Sequence, residues 1–192
     1  AFMFEPLRDG AYNANIALAS TSTNRTLTTG VVEMNPANLD PNDPNSLAAV
    51  GKNYRVEISG IQTNNDQTQV TYKVFDMSDP NSSTSFTTTA ITSPGTQTTT
   101  IPINGVPGVR FEIKGQPVVG DTIDLKPATS VFSVLDEAIR GIGEGENNNA
   151  VTQAIGQALG NIDKGMEQII TMRSQAGEYL NRADRMMGDQ DN

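Results

Sequence analysis

Two patterns of apolar positions divide the chain. In the first part they alternate: Tyr54-Arg55-Val56-Glu57-Ile58, then Val70, Tyr72 and Val74, then Val109, Phe111 and Ile113. A period of two gives one buried and one wet face, as in antiparallel sheets. Weaker runs at 27–34, 86–91, 98–103 and 122–125 bring the expectation to roughly seven short strands, a small sandwich or open barrel. Asp40-Pro41-Asn42-Asp43-Pro44-Asn45, Asp79-Pro80-Asn81 and Asn64-Asn65-Asp66 read as turns between them, because proline fixes φ and Asp or Asn bonds its own backbone. Asn104-Gly105 precedes a further strand. The stretch 81–100 holds thirteen Ser or Thr residues and reads equally well as a Thr-rich loop or an exposed strand pair.

The period then lengthens. Thr129-Ser130 precedes Val131, Leu135 and Ile139 at helical spacing, with Phe132 alongside, and Gly141-Ile142-Gly143-Glu144-Gly145 ends that segment. After Asn147-Asn148-Asn149, apolar positions recur in steps of three and four from Val151 to Met187, close to a heptad seam. A helix over 150–187 would be roughly 57 Å long, more than a small sheet domain covers. Part of its seam must then meet other helices. Gly156, Gly160, Gly165 and Gly177 interrupt it, each at a cost of about 1 kcal/mol relative to alanine. Packing must offset that cost, and small residues allow a neighbour to approach closely. The expected fold class is α+β: a β-rich outer domain over 1–127, and a helical domain over 128–192 whose long amphipathic helix packs in a bundle.

Composition narrows the chemistry. The 192 residues suffice for a sizeable core, and no apolar run is long enough to span a membrane as a helix. There is no cysteine and no histidine, which removes the thiol nucleophile, thiolate metal sites and the commonest general base. The net charge of −9 leaves no basic face of the kind nucleic acid requires.

The remaining candidates are weak. Asp121 and Asp124 are the best acid/base or metal-binding pair, but a spacing of three along a strand sends them to opposite faces. The 40–45 segment lacks the glycine and terminal glutamate of a calcium loop. Gly141-x-Gly143-x-Gly145 follows a helix and carries Glu144 and Glu146, so it is no phosphate cradle. Lys126 and Lys164 have nothing to activate them, and Ser130 and Ser133 lack a histidine partner. Asn24-Arg25-Thr26 and Asn81-Ser82-Ser83 match the glycosylation sequon. No enzyme, cofactor or metal site is expected.

Three segments resemble the bacterial flagellar hook-associated protein 3 family, the hook–filament junction proteins related to flagellin. Phe2-Met3-Phe4-Glu5-Pro6-Leu7-Arg8-Asp9-Gly10 is similar to the family's short strand after its N-terminal helices. The stretch from Gly115-Gln116-Pro117 through Gly120-Asp121 to Pro127, followed by Ser130-Val131-Phe132, is similar to its strand-to-helix junction. Ala158-Leu159-Gly160-Asn161-Ile162-Asp163, continuing through Arg173, Gly177, Leu180 and Asn181, is similar to a helix of flagellin-like proteins. Ser174 and the Glu178-Tyr179 pair depart from that helix pattern.

The resemblance implies a secreted structural component of the flagellum at the hook–filament junction. Its partners would be copies of itself, flagellin and the hook-side junction protein, assembled in a ring by helix packing without cofactor, nucleic acid or membrane insertion. It further implies that this stretch is the core of a longer chain, monomeric without its terminal helices. Val151, Ile155, Ile162, Ile169, Met172 and Leu180 are the expected helix–helix contacts, with Arg173, Gly177 and Asn181 at matching family positions. Flagellin itself, or a surface-binding adhesin domain on a helical stalk, are the alternative readings.

Overall fold

The computed structural model describes residues 11–19, 25–35, 38, 39, 42, 51–64, 67–79, 81, 83–92, 98–127, 136, 139, 140 and 148–188. Nine strands lie among them: β1 (Ala11–Ala17), β2 (Leu27–Thr29), β3 (Val32–Glu33), β4 (Tyr54–Asn64), β5 (Gln67–Asp76), β6 (Ser83–Thr92), β7 (Thr99–Val106), β8 (Val109–Gly115) and β9 (Thr122–Pro127). One long helix, α1 (Asn148–Gly188), follows. The fold class is α+β, as the periodicities predict.

The strands form one antiparallel sheet in the order β2-β8-β7-β6-β5-β4-β9-β1-β3. It curls into a nearly closed barrel. The bridge from Met34 to Val109 joins the β3 end back to β8, and the Asn35 N–H donates to Gly108 O at 2.8 Å beside it. The alternating residues fill the interior. Val56, Ile58, Val70, Tyr72, Ile113, Ile123 and Leu125 are each fully or almost fully buried.

Several expectations are refined. β1 went unrecognised because its inward residues are Tyr12, Ala14 and Ile16, separated by asparagines, a weak alternation. The 27–34 run is two strands, β2 and β3, parted at Gly30 and Val31. The Thr-rich stretch resolves in favour of strands: β6 pairs along β5 and meets β7 at Ile91↔Thr100 and Thr92↔Thr99. β4 and β5 pair, with a register shift between Ile58 and Gly60, as far as Asn64↔Gln67.

Asn104-Gly105 is a bulge inside β7 rather than a turn, with Gly105 at φ +90°. A Cβ there would stand 2.2 Å from the Phe86 ring, so only glycine fits. The Tyr72 hydroxyl donates to Asn104 O at 3.0 Å and accepts from the Asn104 N–H at 2.8 Å, spanning the gap where β6 and β7 part. The Tyr72 ring stacks on Phe86 at 5.7 Å.

The expected helix over 129–139 lies almost wholly outside the described residues, though Asp136, Ile139 and Arg140 are helical. The 2–10 segment, most of the 40–45 turn and the 141–145 glycines also lie outside them.

Candidate functional site

Asp121 and Asp124 do not converge. Asp121 is fully buried, and its carboxylate is saturated. Oδ1 accepts from Arg25 Nη2 at 2.7 Å and the Ala19 N–H at 2.9 Å, while Oδ2 accepts from Arg25 Nη1 at 2.5 Å and the Val118 N–H at 2.8 Å. An ionised carboxylate has about four acceptor positions, so none is left for a substrate or metal. Arg25 Nη1 also donates to Gln116 O at 2.9 Å. The pair therefore pins three chain segments at one end of the barrel. Gly115 and Gly120 in the same stretch have φ of +139° and +94°. A Cβ at Gly115 would meet Thr26 O at 2.1 Å, so this glycine is required by the close approach of backbone.

Asp124 faces the other way and holds Arg55 in a two-pronged bond of 2.6 and 2.9 Å. The Arg55 guanidinium is raised above its ordinary pKa by that bond and charge. Lys126 is exposed. Among the described residues no group of three or more Asp or Glu side chains is placed to hold a metal, and no helix is long and apolar enough to cross a membrane.

The feature with a surface to offer is α1. Its 41 residues extend about 60 Å at 1.5 Å per residue. Polar side chains in its first three turns bond to the barrel. Asn149 Oδ1 accepts from the Leu27 N–H at 2.7 Å, Gln153 Oε1 from the Thr29 N–H at 2.8 Å, and Gln157 Oε1 from the Ala14 N–H at 3.2 Å. Gln153 Nε2 donates to Thr29 Oγ1 at 2.6 Å and to Ala14 O at 3.3 Å. These groups belong to β1 and β2, which diverge here. The helix amides complete the ladder that the strands leave open. Gly160 ends the docked segment: a Cβ there would lie 2.1 Å from Val31 Cγ2. Val31 lies between β2 and β3.

The docked positions 149, 153 and 160 lie two residues out of step with 151, 155 and 162. At 3.6 residues per turn, an offset of two is roughly 200°. The amide face thus turns toward the sheet and the apolar seam turns away. Val151 is half-buried, but Ile162, Ile169, Met172 and Leu180 are exposed by 38, 60, 54 and 68%. Arg173 and Asn181 are exposed as well, and Gly177 has nothing within 4 Å of a built Cβ. The amide ladder was missed because Asn and Gln at helical spacing read as a solvated face.

Comparison with solved structures bears on this arrangement. The crystal structure of FlgL from Xanthomonas campestris superposes with a TM-score of 0.54 at 19% identity, over 95% of this chain and 53% of that one. A second crystal form gives 0.52 at 20% identity, over 92% and 50%. The fold is that of FlgL. The flagellar junction protein FlgL from Legionella pneumophila agrees, with a TM-score of 0.50 at 17% identity over 97% of this chain and 55% of that one. The chain therefore spans about half the length of the FlgL structures it matches. No family model and no curated protein matches it. The likeness is one of fold, at 17–20% identity.

Proposed function

We propose that this chain is part of a hook–filament junction protein, a secreted structural component of the bacterial flagellum that acts without catalysis or cofactor. The observation that carries this reading is the bare apolar seam of α1. Its amide face is committed to the barrel, so Ile162, Ile169, Met172 and Leu180 remain free for neighbouring helices. A seam of this length left in water is a strong signal of an assembly surface. Together with Val151, Ile155, Arg173, Gly177 and Asn181, these residues would form the packing face of a helical domain over 128–192, with the β domain over 1–127 lying outside it. The FlgL-like fold supports the same assignment.

The partners on this reading are copies of the protein, flagellin and the hook-side junction protein, joined in a ring. The test is a pull-down, with light scattering, against purified flagellin and hook-side junction protein. Binding to both is expected, with loss when Ile162 and Ile169 are both changed to glutamate. Binding to neither overturns the proposal, and unaided growth into long filaments would favour flagellin itself.

A further inference from the structure

The joint between α1 and the barrel is unusual in what it lacks. Among the described residues, none of the buried side chains that form the hydrophobic core comes from α1. The helix is held instead by the amides of Asn149, Gln153 and Gln157 on backbone groups of Leu27, Thr29 and Ala14. Asn149 is buried, yet its Nδ2 has no hydrogen-bond partner. Hydrogen bonds exchange for bonds to water at small net cost, whereas apolar burial does not. Release of the helix would hydrate the strand edges and the orphaned Asn149 amide while leaving the barrel core intact.

We infer that these three amides form a releasable latch, so that the first turns of α1 detach from and return to the β1–β2 gap while the barrel stays folded. The device allows the barrel and the long helix to change their relative orientation without unfolding either. This goes beyond the proposed assembly role and does not depend on it, since the contacts alone carry it.

The geometry supplies a direct test. A Cβ at Gly160 would lie 3.6 Å from Val31 Cβ, within the roughly 3.5–4.5 Å separation that a disulfide needs. The chain has no cysteine of its own. The double variant Val31→Cys with Gly160→Cys is therefore prepared in reduced and oxidised forms, and amide hydrogen exchange is followed by NMR. In the wild type and the reduced variant, the Leu27, Thr29 and Ala14 amides are expected to exchange at least about 100-fold faster than those of Val56 and Val74 in doubly paired strands. Oxidation is expected to slow the three latch amides by about 10-fold or more and leave Val56 and Val74 unchanged. Latch amides as slow as the core in the wild type would overturn the inference. So would unchanged exchange after oxidation, or failure of the disulfide to form under oxidant, since the docked state would then not be populated.

Discussion

Gln153 and Thr29 face each other as a strand pair would. The Gln153 amide accepts from the Thr29 N–H at 2.8 Å and donates to its hydroxyl at 2.6 Å, while the same nitrogen reaches Ala14 O on β1. A side chain thereby supplies the donor and acceptor that the diverging strands no longer supply to each other. Gln153→Ala is expected to destabilise the protein by about 1 kcal/mol in urea unfolding, the net worth of a bonded amide where water takes its place. Gln157→Ala, whose bonds are longer and less buried, should cost less.

The Arg25–Asp121 pair is a far larger commitment. Both side chains are almost wholly removed from water, and truncating one partner strands a buried charge. Asp121→Ala is expected to lower stability by about 3–5 kcal/mol, read as a fall in the denaturation midpoint. Asp124→Ala, at a half-exposed pair, should change it by about 1 kcal/mol or less.

The glycines of α1 should separate into two kinds. Gly156 and Gly177 have nothing within 4 Å of a built Cβ, so alanine at either position should stabilise the chain by about 0.5–1 kcal/mol. Gly160→Ala drives a methyl against Val31 and should destabilise by about 1 kcal/mol, with recovery when Val31 is also changed to alanine. If Gly177 admits a neighbouring helix, Gly177→Ala will raise the melting temperature of the chain yet weaken its binding to that helix.

One carboxylate gives a defined acid response. Hydrogen bonds from Lys52 and Ser78 lower the Asp76 pKa from 3.8 to about 2. The group is charged when folded and protonates more readily when unfolded, so its stabilisation is complete above about pH 4 and is lost as pH falls toward 2. Melting temperatures of wild type and Asp76→Asn should differ at pH 6 and converge as pH drops through that window. A constant difference across it would remove Asp76 as the cause. Tyr12, Tyr54 and Tyr72 are all held above the ordinary phenol pKa by burial, so these three phenols will not titrate in the same range.

Much of the architecture was legible because it is written in short-range periodicity. Val70, Tyr72 and Val74 announce a strand, and Val109, Phe111 and Ile113 another. The steps of three and four from Val151 onward announce the helix, found at Asn148–Gly188. β1 was harder, since alanine and asparagine alternate with little contrast in hydropathy. The spacing of Asp121 and Asp124 already placed them on opposite faces, and their separate arginine partners bear that out.

The sequence by itself determined the α+β class, the long helix with its apolar seam, and the lack of His and Cys chemistry, because each depends on residues close together in the chain or on composition. Tertiary structure alone decided that Asp121 belongs to Arg25, 96 positions away, and that the barrel closes where Met34 meets Val109. It also decided which side of α1 faces the sheet. Hydropathy would have turned the apolar seam inward. The unpaired backbone groups of β1 and β2 instead drew in Asn149, Gln153 and Gln157, because a strand edge that water cannot fully reach needs hydrogen-bond partners more than it needs methyl groups.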